Sequence, residues 1–247
     1  MPFNFNFSWL DWLLVVVVSL QSTAMAYVYH PKWKALLSII PLPFTVAALS
    51  LGQPIDSTNV AAILVLAVFM FGIRFLFHQC KVPIVAAIAL MTGIFCVAAI
   101  GLARVLPKTN PAFWIITGIV ALVAGILHWN IPHIEEEGHR SSLPIWVKLP
   151  VIIGVVVFIL VLKQHLQGFM TVFPMVSVIS AYESRNCLWA ICRQFSVMAF
   201  AVLMMFIAIR LLQPFIGFRW ALIPGWIVYL GILIPMLRQQ WKVYNLS

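Results

Sequence analysis

From Val60 to Phe71 no side chain is polar, and Val151 to Leu162 repeats the pattern around a single glycine, Gly154. Leu13 to Leu20 departs from it only at Ser19. A helix that is apolar on every side has no face to offer water. Apolar stretches of about 20 residues span the hydrocarbon of a bilayer. A chain in lipid must satisfy its backbone internally, as helices or as a closed barrel. Barrel strands alternate apolar and polar over about ten residues, and no such alternation occurs here. The chain therefore reads as all-α, a polytopic transmembrane helix bundle. Composition agrees, with 64% apolar and 9% charged residues, against roughly half and a quarter in a soluble domain.

The apolar runs predict about nine helices, near residues 9–29, 33–52, 58–77, 82–103, 111–129, 148–164, 167–182, 187–212 and 217–237. The sixth and seventh are short. They are either separate spans or a re-entrant pair. Ala24-Met25-Ala26 has the form of a signal-peptidase site, but Met1 to Asp11 contains no Lys or Arg and does contain Asp11. A signal peptide opens with a positive segment, so residues 1–29 are expected to be a retained N-terminal helix. The stretch around Glu135-Glu136-Glu137 is the hydrophilic one. It divides the chain into a first four-helix unit (30–129), a linker (130–142) and a second four-helix unit (143–247).

The net charge of +9 is spread singly over short loops. No basic stripe exists for nucleic acid, and none is expected as a partner. Cytoplasmic loops of membrane proteins carry the excess of Lys and Arg. With nine spans, one side receives Lys32, Lys34, Arg74, Lys81, Arg140, Lys148, Arg185, Arg193, Arg238 and Lys242. The other receives Arg104, Lys108, Lys163, Arg210 and Arg219. This bias puts the N-terminus outside and the C-terminus in the cytoplasm. Trp33, Trp146, Trp189 and Trp241 flank the basic residues as interfacial anchors would. The four cysteines form no C-x-x-C pair and read as small apolar residues.

The two halves invite an alignment. Pro31-Lys32-Trp33 through Ile40 can be laid on Pro144-Ile145-Trp146 through Ile153, so that Pro, Trp, Leu and two Ile coincide. Arg74 then falls near Arg185 and Cys80 near Cys192, and Gly125-Ile126-Leu127 falls on Gly231-Ile232-Leu233, with an offset that drifts from 113 to 106. Four helices per unit would return the second unit in the same orientation, a parallel repeat behind one extra helix.

Residues 168–182 read Gly-Phe-Met-Thr-Val-Phe-Pro-Met-Val-Ser-Val-Ile-Ser-Ala-Tyr. This resembles the Gly-x-x-x-x-Phe-Pro segment of the GlpM-like family, small bacterial inner-membrane proteins of about four helices. The preceding apolar helix, the following basic-then-apolar helix and the last helix with Gly225-Trp226 keep the same order. The resemblance covers residues 145–237 and is missing from the first half, which lacks the Gly-to-Phe-Pro segment. It implies a fused, diverged pair of such units in a bacterial inner membrane, and it implies location and fold more than an activity.

Ionisable groups inside a bilayer are costly and read as functional by default. By the expected boundaries none of the six acids lies at mid-membrane. Glu183, with Arg185 and Arg193, is a candidate site for a charged group at the inner face, or else a loop ion pair. Lys163 and His165, before Gly168, are candidates for an anionic head group at the outer face, or else snorkel from a helix end. Arg74 with His78 one turn on reads as a cationic patch or as snorkelling. Pro41 and Pro43 break the second helix, and Pro174, after Gly168, breaks the seventh. Each proline removes a backbone donor and frees a carbonyl, and broken helices line binding cavities in transporters. No metal site is expected, because His128, His133 and His139 lack ligand spacing and Pro132 intervenes. No cofactor motif is present either.

Three functions follow, in order of preference. The first is a small transporter or flippase of a lipid or small solute. The second is a non-enzymatic scaffold or regulatory subunit of a cell-envelope complex. The third, a head-group enzyme, is least supported, since one face offers only Glu183 with two arginines. Membrane lipids are the expected partners, with a homo-oligomer or an envelope-complex protein as further candidates.

Overall fold

The computed structural model describes residues 8–28, 31–130 and 145–244. The hydrophilic linker, with Glu135 to Glu137, His133, His139 and Arg140, lies outside the described residues. All regular structure among the described residues is helical. In chain order it is α1 (Trp9–Tyr27), α2 (Pro31–Ile39), α3 (Leu42–Leu51), α4 (Ser57–His78), α5 (Ile84–Val105), α6 (Asn110–Asn130), α7 (Ile145–Leu166), a 3-10 segment η1 (Gln167–Val172), α8 (Met175–Glu183), α9 (Leu188–Ile216) and α10 (Phe218–Tyr244). Six helices (α1, α4, α5, α6, α9 and α10) are long and apolar enough to cross a membrane. The protein is an integral membrane helix bundle.

Local chemistry sets the helix ends. Ser8 and Asp11 form a capping box at α1, with the Ser8 amide donating to Asp11 Oδ2 at 2.8 Å. Asp56 caps α4 by accepting from the Thr58 amide at 2.8 Å, while its own amide donates to Asn59 Oδ1 at 2.9 Å. Such caps satisfy donors that a helix start leaves orphaned. Gly52 ends α3 in the left-handed region, where a side chain would cost energy.

The centre of the bundle is α4 beside α9. α4 packs on α5, α6, η1 and α9, and α9 packs on α10, α6, α2 and α4, so α6 touches both central helices. The two run antiparallel. At one end, Ile55, just before α4, accepts at its carbonyl from Arg210 near the end of α9, at 3.0 Å. At the other end, the Arg74 guanidinium, in the last turn of α4, sits 3.7 Å over the ring of Trp189 at the start of α9. The faces turned away from this pair, such as Val97 on α5, Ile115 and Leu122 on α6 and Ile227 on α10, are exposed and apolar, as lipid-facing surfaces must be.

This arrangement decides the short sixth and seventh segments. η1 begins at the end where α4 begins, because Asn59 Nδ2 donates to the Gly168 carbonyl at 3.3 Å and to Thr171 Oγ1 at 3.0 Å. α9 begins at the opposite end, beside Arg74. The η1–α8 segment thus runs the length of the bundle and does not double back. The elements that the parallel pairing of halves lays on each other differ in kind. Trp33 lies in α2, one half of a broken helix, whereas Trp146 lies in α7, which is continuous. The matched tryptophans therefore start elements of different kinds. Arg74 is helical, and Arg185, aligned with it, lies in the turn after α8.

Gly168 is required by the close approach of η1 to α4. A Cβ there would run into the Thr58 hydroxyl and the backbone of Asn59, whereas one at Gly154 would meet open space. We expect Gly168→Ala to destabilise the folded protein by about 1–3 kcal/mol. Gly154→Ala should be neutral or slightly stabilising, because alanine is the better helix former. Unfolding in detergent, followed by circular dichroism, reads both.

Candidate functional site

Pro41 and Pro43 carry no N–H, so the carbonyls four residues earlier, Leu37 and Ile39, lose their helical partners. In lipid each such orphan costs several kcal/mol. Two side chains from other helices supply the missing donors. Gln21 Nε2, on α1, donates to Leu37 O at 2.6 Å and to Ile40 O at 3.0 Å. Tyr229 Oη, on α10 and fully buried, donates to Ile39 O at 2.6 Å. The Thr45 hydroxyl donates back to Pro41 O at 3.1 Å and accepts from Trp226 Nε1 at 2.8 Å. The first break is thus held open by α1 and α10.

The second break solves the same problem locally. Pro174 deprives Met170 O of its donor, and the Phe173 amide takes it at 3.2 Å through a tighter 3-10 turn. Thr171 Oγ1 donates to Gly168 O at 2.7 Å.

The two breaks face one cavity of about 70 Å³. Pro41 and Pro43 line it from the first break, and Thr171, Phe173 and Pro174 line it from the second. Gln21, Ser38 and Ser177 add polar groups, while Phe44, Leu66, Met198 and Val202 supply apolar wall. No charged side chain is among the lining residues. A second crevice, of about 140 Å³ between α4 and α5, is apolar throughout.

Charge is gathered instead at the ends of the bundle. Where α1 begins, Lys163 Nζ lies 2.9 and 3.1 Å from the two Asp11 carboxylate oxygens and 2.8 Å from Ser50 Oγ, which itself donates to Asp11. Asp11 is buried and Lys163 is largely so. The cluster ties α1, α3 and α7 together. At the same end, Lys108 pairs with Asp56 at 3.6 Å, and Arg210 bridges Ile55 O to Asn110 Oδ1. Gln213 exchanges two hydrogen bonds with the backbone of Ile55, at 3.0 and 3.1 Å.

The sequence candidates separate accordingly. Lys163 is held by Asp11 and does not snorkel freely, and His165 is exposed two residues on. Glu183 is buried at the opposite end, at the close of α8. Arg185 and Arg193 are half-buried there, with the Arg185 guanidinium 5.4 Å over the Tyr182 ring. None of these five lines the cavity. Pro41, Pro43 and Pro174 do, whereas Gly168 packs against α4 beside it. Asp11, Gln21 and Tyr229 went unmarked in the sequence. Gln21 carried one usable signal, an amide within a membrane-spanning helix, in a short polar patch with Ser19, Ser22 and Thr23.

Comparison with family models, with curated proteins and with solved structures finds no match to this chain.

Removing one member of a buried ion pair strands the other. Asp11→Asn or Lys163→Met alone should cost about 3 kcal/mol, and the double variant clearly less than the sum. Tyr229→Phe, which orphans Ile39 O, should cost about 1–3 kcal/mol. Unfolding free energies in detergent check both.

Proposed function

We propose that this protein is a small transporter, moving a small solute or a lipid along a path between two inverted units. The observation that carries this is the cavity shared by two proline-broken helices, one from each half of the chain. Substrate sites of secondary transporters lie between repeats at such discontinuous helices.

The units are α1, α2/α3, α4 and α5, then α7, η1/α8, α9 and α10, with α6 between them. Five spans separate equivalent elements, so the second unit enters the membrane from the other side. Residue correspondences favour this register. Pro41 pairs with Pro174, Asn59 with Gln194, Ile73-Arg74-x-Leu76 with Ile209-Arg210-x-Leu212, and Ala89-Leu90-x-x-Gly93 with Ala221-Leu222-x-x-Gly225. Their offsets stay between 132 and 136, steadier than the earlier alignment. The paired arginines also act alike, since each reaches from the end of its helix to the start of the other central helix. α6, the unpaired span, packs on both α4 and α9, where a pseudo-two-fold axis would pass.

Two units related in this way can rock about a fixed site and expose it to each side in turn. On the loop charges, the end holding Asp11 and Lys163 faces out of the cell, and its ion pair closes that end. The test is access to the cavity. In a variant with Cys80, Cys96, Cys187 and Cys192 replaced by alanine, Met198→Cys should react with a membrane-impermeant maleimide from both sides of sealed vesicles. Adding Lys163→Met should speed labelling from the outer side and slow it from the inner. Labelling from neither side would overturn the reading and leave a closed bundle, as a scaffold subunit would have.

A further inference from the structure

We propose that the end of the bundle opposite the Asp11–Lys163 pair holds one anionic phospholipid, whose phosphate seats against Arg74 where α4, α6 and α9 meet. Such a lipid would sit there whether or not the bundle transports. α4 has 22 residues and ends at His78. It is about 33 Å long, against roughly 30 Å of hydrocarbon. Arg74, about 6 Å from its end, therefore stands just inside the head-group level. Its guanidinium is half-buried, 3.7 Å over the Trp189 ring. That separation fits a face-on stack, which covers one face of the cation and leaves its five N–H groups at the rim. Among the described residues no acceptor takes them. Arg210, the matching arginine at the other end, differs, because it donates to Ile55 O and to Asn110 Oδ1. Arg74 needs its acceptors from outside the bundle, and the oxygens of a phosphate meet the guanidinium fork in pairs.

The neighbouring helix ends select an anion carried by a lipid. On α9, Arg193 follows Trp189 by four residues and so shares its face. Helical side chains lean toward the N-terminus of their helix, which for half-buried Arg193 is toward the membrane surface. α6 ends against the same stripe. His128 Nδ1 lies 3.4 Å from Ser196 Oγ, and that hydroxyl donates to Arg193 O at 2.9 Å. With the hydroxyl proton committed, the imidazole must be the donor between the two. His78, exposed, closes α4 one turn beyond Arg74. Two arginines and two imidazoles thus stand at the ends of three helices that pack on one another. Among the described residues the acid at this end is Glu183, and it is buried. Basic pockets between helix ends hold anionic lipid head groups in this way. Trp129, in the last turn of α6 and 85% exposed, puts an indole at the level where such rings anchor. Beneath it Leu122 and Ile126 present exposed apolar surface to an acyl chain. A free anion would use the charges alone, and a lipid uses both.

Native mass spectrometry of the full-length protein in detergent, titrated with phosphatidylglycerol or phosphatidylcholine, counts the lipid that stays bound. One phosphatidylglycerol should be retained, about tenfold more tightly than phosphatidylcholine, whose choline cancels the phosphate charge. Arg74→Gln should remove that preference. Arg74→Lys keeps the net charge but loses the fork and the stack, and should weaken retention about tenfold. Arg219→Gln removes one charge from the exposed start of α10, at the other end of the bundle, and should change nothing. If Arg74→Gln fails to fold, Arg74→Lys and the contrast between the two lipids still decide. Equal retention of both lipids, or an Arg74→Lys variant that matches the unaltered protein, would reduce the effect to diffuse charge and overturn the inference. So would inorganic phosphate that raises the thermal unfolding midpoint as far as the lipid does, the mark of a site for a free anion. Phosphatidylglycerol retained only after Glu135, Glu136 and Glu137 are replaced by glutamine would give the patch to the chain's own acids, and would overturn it too.

Discussion

Inside a bilayer no water is present to pair a backbone group that a proline has released, and this bundle is organised around that constraint. Pro41 and Pro43 free two carbonyls, and Gln21 and Tyr229 supply the donors. These partners lie on α1 and α10, far apart in sequence, so satisfying one break draws distant helices into contact. Helices in lipid have no hydrophobic drive to associate, because lipid is as apolar as they are. Hydrogen bonds of this kind, together with close packing at Gly168, therefore carry a larger share of the specificity than they would in water.

The same logic explains where the charges sit. Asp11 and Lys163 are paired at an end of the bundle, backed by Ser8 and Ser50, and not at the helix breaks. Charge at the ends latches helices without the full penalty of mid-membrane burial. The middle is left with neutral hydrogen-bonding groups around a small cavity. On the transporter reading we propose, that division, ionic at the ends and neutral at the centre, favours an uncharged cargo over an ion.

The sequence was legible where one segment suffices. Apolar runs placed the helices because a span must be long and oily wherever it packs, and the prolines marked both breaks because proline acts locally. Pairings between segments were not legible. Lys163 read as a snorkelling or head-group residue because its partner is 152 positions away. Asp11 was weighed only against a signal peptide. Glu183 stood out as an isolated acid, yet it is buried and is not among the residues that line the cavity. The duplication was sought from tryptophans and lysines, which mark interfaces in any membrane helix and so align without sharing a role. The inverted pairing we propose rests instead on the broken helix, the rarer feature, with Pro41 laid on Pro174.

Sidedness tests the central claim, that the two broken helices cross the bundle in opposite directions and meet at one site. Gln53, just after α3, and Asn186, just after α8, are both exposed. In sealed vesicles, single cysteines at these positions should react with an impermeant maleimide from opposite sides of the membrane. Reaction from the same side would contradict the inverted arrangement and the path built on it.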